Sequence, residues 1–169
     1  MSFDAQPTLE GELLHLRPLR EDDFDALYAV ASDPLIWEQH PNSDRHEVDV
    51  FREFFRGAMM SGGALLIIDA ATGVVIGSSR YHGFRESERE VEIGWTFLAR
   101  ACWGGRYNGE LKRLMLEHAF RYVDSVTLVI GETNTRSRRA AEKIGATFDG
   151  WLRGDGATGK VVYRVASEK

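Results

Sequence analysis

The stretch EVEIGWTFLARACWGGRYNGE, residues 90–110, decides how the rest of the chain is read. Its first half alternates strictly: Val91, Ile93, Trp95 and Phe97 fall on one face of an extended strand, and Glu90, Glu92, Gly94 and Thr96 on the other. Its second half turns at Gly104-Gly105 into a helix on which Leu111, Leu114, Met115, His118, Ala119 and Tyr122 share a side at helical spacing. A strand that passes through a glycine turn into a helix leaves unpaired N–H groups and a positive dipole end at the turn, a ready seat for phosphate oxygens. No Lys-Ser or Lys-Thr follows the glycines and there is no GxGxxG, so neither a Walker loop nor a dinucleotide fingerprint is present. An ordinary strand-to-helix loop remains the alternative reading.

Outward from this stretch the elements follow in regular order. Upstream, Leu13 to Pro18 reads as a strand, Phe24 to Ala31 and Val48 to Met59 as helices, and Ala64 to Asp69 and Val74 to His82 as strands that form an antiparallel meander with Glu90 to Phe97. Downstream, Ser125 to Ile130 is a strand and Asn134 to Ile144 a helix stopped by Gly145. A last strand pair, Ala146 to Leu152 and Lys160 to Val165, is joined by a turn at Gly154 to Gly159. The expectation is an α/β fold of the mixed α+β kind, with six to seven mostly antiparallel strands and about four helices. Residues 1–169 read as one domain, with residues 1–11 as a flexible tail.

Composition agrees. A chain of 169 residues with 43% hydrophobic and 28% charged residues builds one core. A formal charge of −5 lacks the electrostatic footprint of nucleic-acid binding and mildly favours a cationic substrate. Cys102 is the only cysteine, so no intrachain disulfide forms. The opening residues lack a signal pattern, and no apolar run approaches the ~20 residues of a membrane helix. A soluble cytoplasmic protein without membrane attachment is expected. The histidines have no metal-ligand spacing, so no metal is expected. Nothing in the sequence decides between a monomer and a homodimer formed by edge pairing or helix packing.

Four blocks in order carry a resemblance: Leu16-Arg17-Pro18-Leu19 with Asp22-Asp23, Val91-Glu92-Ile93-Gly94-Trp95, Trp103 to Glu110, and Asn134-Thr135-Arg136-Ser137 followed by Glu142 to Ala146. Together the chain resembles the GNAT superfamily of N-acetyltransferases, in particular the branch of ribosomal-protein N-terminal acetyltransferases, over nearly its whole length. The resemblance implies acetyl-CoA as co-substrate, an amine or peptide acceptor, and direct transfer in a ternary complex. It further implies a V-shaped splay between the fourth and fifth predicted strands, Val91 to Phe97 and Val126 to Ile130, that takes the pantetheine arm.

By the same resemblance Gly104, Gly105, Arg106, Tyr107, Asn108 and Gly109 wrap the pyrophosphate, and backbone groups near Phe97, Leu98 and Ala99 pair with pantetheine and polarise the thioester. The family places a glycine at Arg106 and a glycine or alanine at Asn108, so these side chains must point away from the phosphates, or Arg106 must join them. Asn134 is either a helix N-cap or a pantetheine contact. Arg139, with Arg136, Arg138 and Lys143, either meets the 3′-phosphate or belongs to a solvated face.

An amine attacks only when neutral, so a base must take its proton. Glu92 is the first candidate, the alternative being an exposed strand carboxylate in a row with Glu90. Ser137 is the candidate donor to the departing thiolate, the alternative being a hydroxyl bonded back to the carbonyl four residues earlier. The acceptor pocket is expected from Trp37, Glu38 and His40 on an early loop and Arg80, Tyr81 and His82 on a strand. Trp37 also reads as core filling, and His40 as a second base or an exposed side chain. Cys102 lacks a paired base, which disfavours an acyl-enzyme. A small-molecule amine acceptor, or an acyl-CoA binder without turnover, are the alternatives to a peptide N-terminus.

Overall fold

Alternating apolar residues in the strands and 3.6-residue spacing in the helices build one sheet with helices on both faces. The structure, a computed structural model, describes residues 2–152 and 159–168. Among these the strands are β1 (Leu9–Glu10), β2 (Leu14–Pro18), β3 (Ala64–Asp69), β4 (Val75–Arg85), β5 (Glu90–Leu98), β6 (Ser125–Gly131), β7 (Thr147–Trp151) and β8 (Lys160–Ala166). The α-helices are α1 (Phe24–Ala31), α2 (Val48–Ser61), α3 (Arg106–Ala119) and α4 (Thr135–Lys143). The turn expected at Gly154 to Gly159 lies outside the described residues except for Gly159.

The strand order is β1-β2-β3-β4-β5-β6-β8-β7, antiparallel everywhere except where β5 and β6 run parallel. Eight strands stand against the six to seven expected, because Leu9–Glu10 pairs with His15 and Leu16 as an extra edge strand. Within the described part of the segment read as a flexible tail, residues 2–11, several side chains instead dock on the sheet and on α3. Phe3 lies edge-on to Tyr81 at 5.0 Å, the Gln6 amide donates to the Ala64 carbonyl at 3.0 Å, and His118 Nε2 meets the Asp4 carbonyl at 2.7 Å. One aromatic ring and two polar contacts offset the ordering entropy that a polar composition suggests.

Two cores flank the sheet. Leu111, Met115 and Ala119 of α3 and Ala141 of α4 pack with Leu14, Leu16, Ile67, Val91 and Ile93 on one face. Leu27 and Ala31 of α1 and Phe51, Phe54, Phe55 and Ala58 of α2 pack with Leu66 and Phe97 on the other. Helix α2 stops at Gly62, whose φ of 68° is the left-handed cap that a side chain disfavours. At the start of α3 the Glu110 carboxylate accepts N–H bonds from Glu12, Leu13 and Leu14 at 2.8–2.9 Å, which fastens β2 to the helix.

The period-two reading of β5 fails in its second half. Ser78 pairs with Phe97 and Arg80 with Gly94, so Trp95 and Thr96 both oppose Ser79, and Trp95 takes a φ of 52°. This bulge inserts one residue and reverses the side-chain alternation beyond it. Val91 and Ile93 stay in the α3 core, while Trp95 and Phe97 cross to the α1/α2 face and Thr96 turns toward α3. Glu92 thus shares a face with Trp95 and Phe97, not with Thr96.

Candidate active site

Strands β5 and β6 are paired only from Glu90 to Glu92 against Ser125 to Thr127. Beyond that point they separate, and the expected splay lies between the fifth and sixth strands of the structure, one number higher because of β1. Ile93 to Leu98 and Leu128 to Gly131 form its walls, and the cavity volume is about 260 Å³. Backbone N–H and C=O groups on facing strand edges need partners, so such a wedge accepts an extended ligand rich in amides.

Several expected residues meet in this cleft. Glu92, Phe97, Leu98, Gly104, Asn108, Asn134, Ser137 and His40 all line it. At its mouth Gly104 has a φ of 69°, and Gly105 caps α3 without any side-chain hydrogen bond to the first turn, whose N–H groups stay available to an anion. Arg106 is exposed and outside the lining, so its side chain stands clear of the cleft. Asn134, 3% exposed, caps α4 through Oδ1, which accepts from the Ser137 N–H at 3.3 Å.

Other expected residues lie elsewhere. The Tyr107 hydroxyl donates to Asp69 Oδ1 at 2.7 Å and anchors the start of α3 to β3. Gly105, Gly109 and Ala99 are not in the lining, and the Ala99 N–H is already bonded to the Ile76 carbonyl at 2.8 Å. Arg139 is exposed on α4, outside the lining. Trp37 is corrected from acceptor pocket to core: it is 2% exposed, its indole N–H donates to the Ala31 carbonyl at 2.8 Å, and its ring lies 5.0 Å from that of Phe97. Tyr81 is corrected likewise, because strand alternation turns it toward α3, where its hydroxyl donates to the Met115 carbonyl. Burial raises that phenol well above its ordinary range. The flanking Arg80 and His82 face the opposite side, both against the ring of Trp95.

The two β5 glutamates have different fates. Glu90 is a buried structural charge held by Arg85, Arg164 and, at 2.8 Å, the Ser125 hydroxyl. Glu92 has no ion pair or hydrogen bond among the described residues, and its Oε2 is 3.1 Å from where a Cβ on Gly94 would stand. Burial pushes its carboxyl up to about 6, against the opposing pull of Lys160 and Arg80. Ser137 likewise lines the cleft, and its hydroxyl makes no bond back to residue 133 among the described contacts.

His40 is held by its loop. Its Nδ1 accepts the Asn42 N–H at 2.9 Å, and burial together with Arg45, Lys160 and Arg136 pushes its pKa down to about 4. A ring so depressed is a weak base. Cys102 also lines the cleft, but burial and then the charge of Asp69 raise its thiol. The loop bearing His40 is tied to the far wall. Arg136 donates to the Ile36 carbonyl at 3.1 Å, and a Cβ on Gly131 would lie 2.6 Å from Pro41.

The sequence reading missed Arg45 and Lys112. Arg45 lines the cleft among the rings of Trp37 and Phe54. Lys112 is buried in α3 and donates to Thr96 Oγ1 at 3.0 Å, and burial pushes its ammonium down to about 8. Its signal was present, since it stands three residues before Met115 and seven before Ala119, on the buried side of α3. The weak preference for a cationic substrate read from net charge is reversed locally. Arg45, Arg136, Lys112 and Lys160 line this cleft with Glu92 as their one acidic counterpart among the described lining residues. Among the described residues no cluster of acidic, histidine or cysteine side chains suits a metal ion, and no helix is long and apolar enough to cross a membrane.

A family model described as an acetyltransferase (GNAT) domain matches residues 14–147. Among solved structures, an acetyltransferase from Agrobacterium tumefaciens is 27% identical, with a TM-score of 0.68 over 95% of this chain and 95% of that one. A GCN5-related N-acetyltransferase from Brucella melitensis is 21% identical, with a TM-score of 0.80 over 95% of this chain and 79% of that one. Mycobacterium smegmatis RimJ, in complex with CoA-disulfide, is 20% identical, with a TM-score of 0.70 over 96% of this chain and 87% of that one. At 21% and 20% identity the last two establish likeness of fold.

Proposed function

The chain belongs to the GNAT family of acetyltransferases, and from that premise we propose that it moves the acetyl group of acetyl-CoA directly onto a primary amine, with Glu92 as proton acceptor. The observation that carries this is the unpaired Glu92 carboxylate, raised to about 6 and lining the cleft where β5 and β6 part. A base of that pKa is ionised at neutral pH yet strong enough to accept a proton as the amine attacks, directly or through one water.

The cleft fits acetyl-CoA on its own geometry. The separated strand edges offer amide partners to a pantetheine arm, and the uncapped start of α3 offers N–H groups to a pyrophosphate. Bound there, acetyl-CoA supplies an activated acyl group with a thiolate leaving group. Lys112 sets a positive charge beneath the bulge, which favours negative charge developing on a reacting carbonyl. Ser137 presents a hydroxyl to the cleft and acts as hydrogen-bond donor to the thiolate. The high thiol pKa of Cys102 supports direct transfer over an acyl-enzyme.

The acceptor favoured by the sequence motifs is a peptide or protein N-terminus, with a small-molecule amine as the second reading. A cytoplasmic setting agrees with one unpaired cysteine. Calorimetric titration with acetyl-CoA tests the premise. Saturable binding with one site per chain is expected, followed by amine-dependent thiol release. Absence of binding to acetyl-CoA and to longer acyl-CoAs would remove the catalytic reading and leave only the fold.

A further inference from the structure

Arg45 and His40 line the cleft with Glu92, and Arg80, against the same Phe54 ring as Arg45, feels the charges of both Arg45 and Glu92. Arg80 is 7% exposed, and its Nε has no hydrogen-bond partner among the described residues. Its guanidinium lies over the Trp95 ring at 4.4 Å and near Phe54 at 5.6 Å, and it forms no ion pair among the described residues. Arg45 leans on the same Phe54 ring at 4.7 Å and is likewise unpaired. The third is His40. Because Nδ1 accepts the Asn42 N–H, the neutral ring carries its proton on Nε2, which lies 3.4 Å from Arg45 Nη1. Two donors facing each other at that distance make no hydrogen bond; both are free to converge on one acceptor.

Burying a guanidinium without a counter-charge is expensive, and breaking up such an arrangement by packing alone would be easy. Both arginines are pushed down to about 10, Arg80 by burial and then by the charge of Arg45, and Arg45 by burial. Glu92 offsets part of this for Arg80, and the exposed Asp44 part of it for Arg45, while Glu92 itself also feels Lys160. The local charge is positive in a protein whose net charge is −5.

We propose that the acceptor is a primary amine that also carries an anionic group, a carboxylate or phosphate, seated between Arg45, Arg80 and His40 Nε2–H. This rests on the acetyl-transfer reading. A guanidinium suits such oxygens through paired N–H bonds, and seating the anion there holds the amine of the same molecule next to Glu92. Polycationic amines are repelled by the same charges.

The test measures kcat/KM by thiol release for matched acceptors: free amino acids against their amides, peptides with acidic or neutral residues at positions one and two, phosphoethanolamine against ethanolamine, and spermidine. The anionic member of at least one pair should exceed its neutral partner by about 10- to 100-fold, as expected for a hydrogen bond to a charged group. Which pair responds distinguishes amino acid, peptide and phosphoamine as the source of the anion. In Arg45→Met and Arg80→Met the ratio should fall toward one, mainly through KM; the half-buried Arg45 provides a variant even if Arg80→Met misfolds. Equal rates within every pair, a preference for spermidine, or acetyl-CoA binding with no anionic acceptor turned over would overturn the proposal. Failure to bind acetyl-CoA at all would overturn the acetyl-transfer reading with it, so the two failures are separable.

Discussion

Replacing Glu92 by Gln keeps the side chain's shape and removes its ability to take a proton. If Glu92 is the base, kcat should fall by about 10²- to 10⁴-fold, the usual range for a positioned general base, while calorimetric affinity for acetyl-CoA stays the same. The wild-type rate, corrected for the fraction of neutral amine, should fall tenfold per pH unit below about 6, where the carboxyl protonates. His40, at about 4, stays neutral through that window and cannot produce the same limb. In Glu92→Gln the limb should vanish. The same substitution should stabilise the fold. Raising the carboxyl from its ordinary 4.5 to about 6 means that its charged form is disfavoured on folding. At about 1.4 kcal/mol per pH unit this amounts to about 2 kcal/mol, or about 1 kcal/mol after allowing for partial exposure. The penalty is complete above pH 6 and gone below 4.5, because the folded chain holds its proton to higher pH than the unfolded one. Urea titrations should therefore show the variant more stable by about 1 kcal/mol at pH 7.5 and equal at pH 4.5. A surviving acid limb, or an unchanged rate, would refute Glu92 as base. A loss of stability at pH 7.5 would show that the carboxylate makes contacts that support the fold.

Lys112→Met should stabilise the protein at pH 7 by about 3 kcal/mol, since an ammonium lowered from 10.5 to about 8 is disfavoured on folding. The unfolded chain holds this proton longer, so the gain should shrink between pH 8 and 10.5; a gain constant across that range in urea titrations would mean that packing, not charge, is responsible. The same variant should lose about tenfold in kcat if the charge assists the reacting carbonyl. Ser137→Ala should lower kcat by about tenfold with acetyl-CoA affinity retained, measured by initial rates and calorimetry; an unchanged kcat would leave Ser137 as a bystander in the cleft wall.

The elements themselves were legible because their signals are local. Residues 24–31 and 64–69 alternate or repeat at the spacing of their element and end at proline, aspartate or glycine, and the structure places α1 and β3 at those bounds. The cleft was legible only through motif resemblance, since Glu92 on β5 meets Asn134 and Ser137 at the start of α4 across some forty residues of chain. The N-terminal segment was misread because its composition is polar, while its order comes from Phe3 reaching across the sheet to Tyr81 and Phe84.

The sequence by itself determined the class of fold, the order of its elements, the glycine entry to α3 and the candidacy of Glu92, because periodicity, turn residues and motif spacing are properties of neighbouring residues. Only the tertiary structure decided which glutamate is free, that Trp37 and Tyr81 belong to the core, that Arg45 and His40 line one cleft, and that Arg80 shares the Phe54 ring with Arg45. The reason is that these contacts join residues far apart in the chain; within β5 the same limit shows in the one-residue bulge at Trp95, which sends Trp95 and Phe97 to the α1/α2 face. The bulge reverses which face each later side chain occupies, and a strict alternation of two residues carries no record of where a strand will take up an extra one.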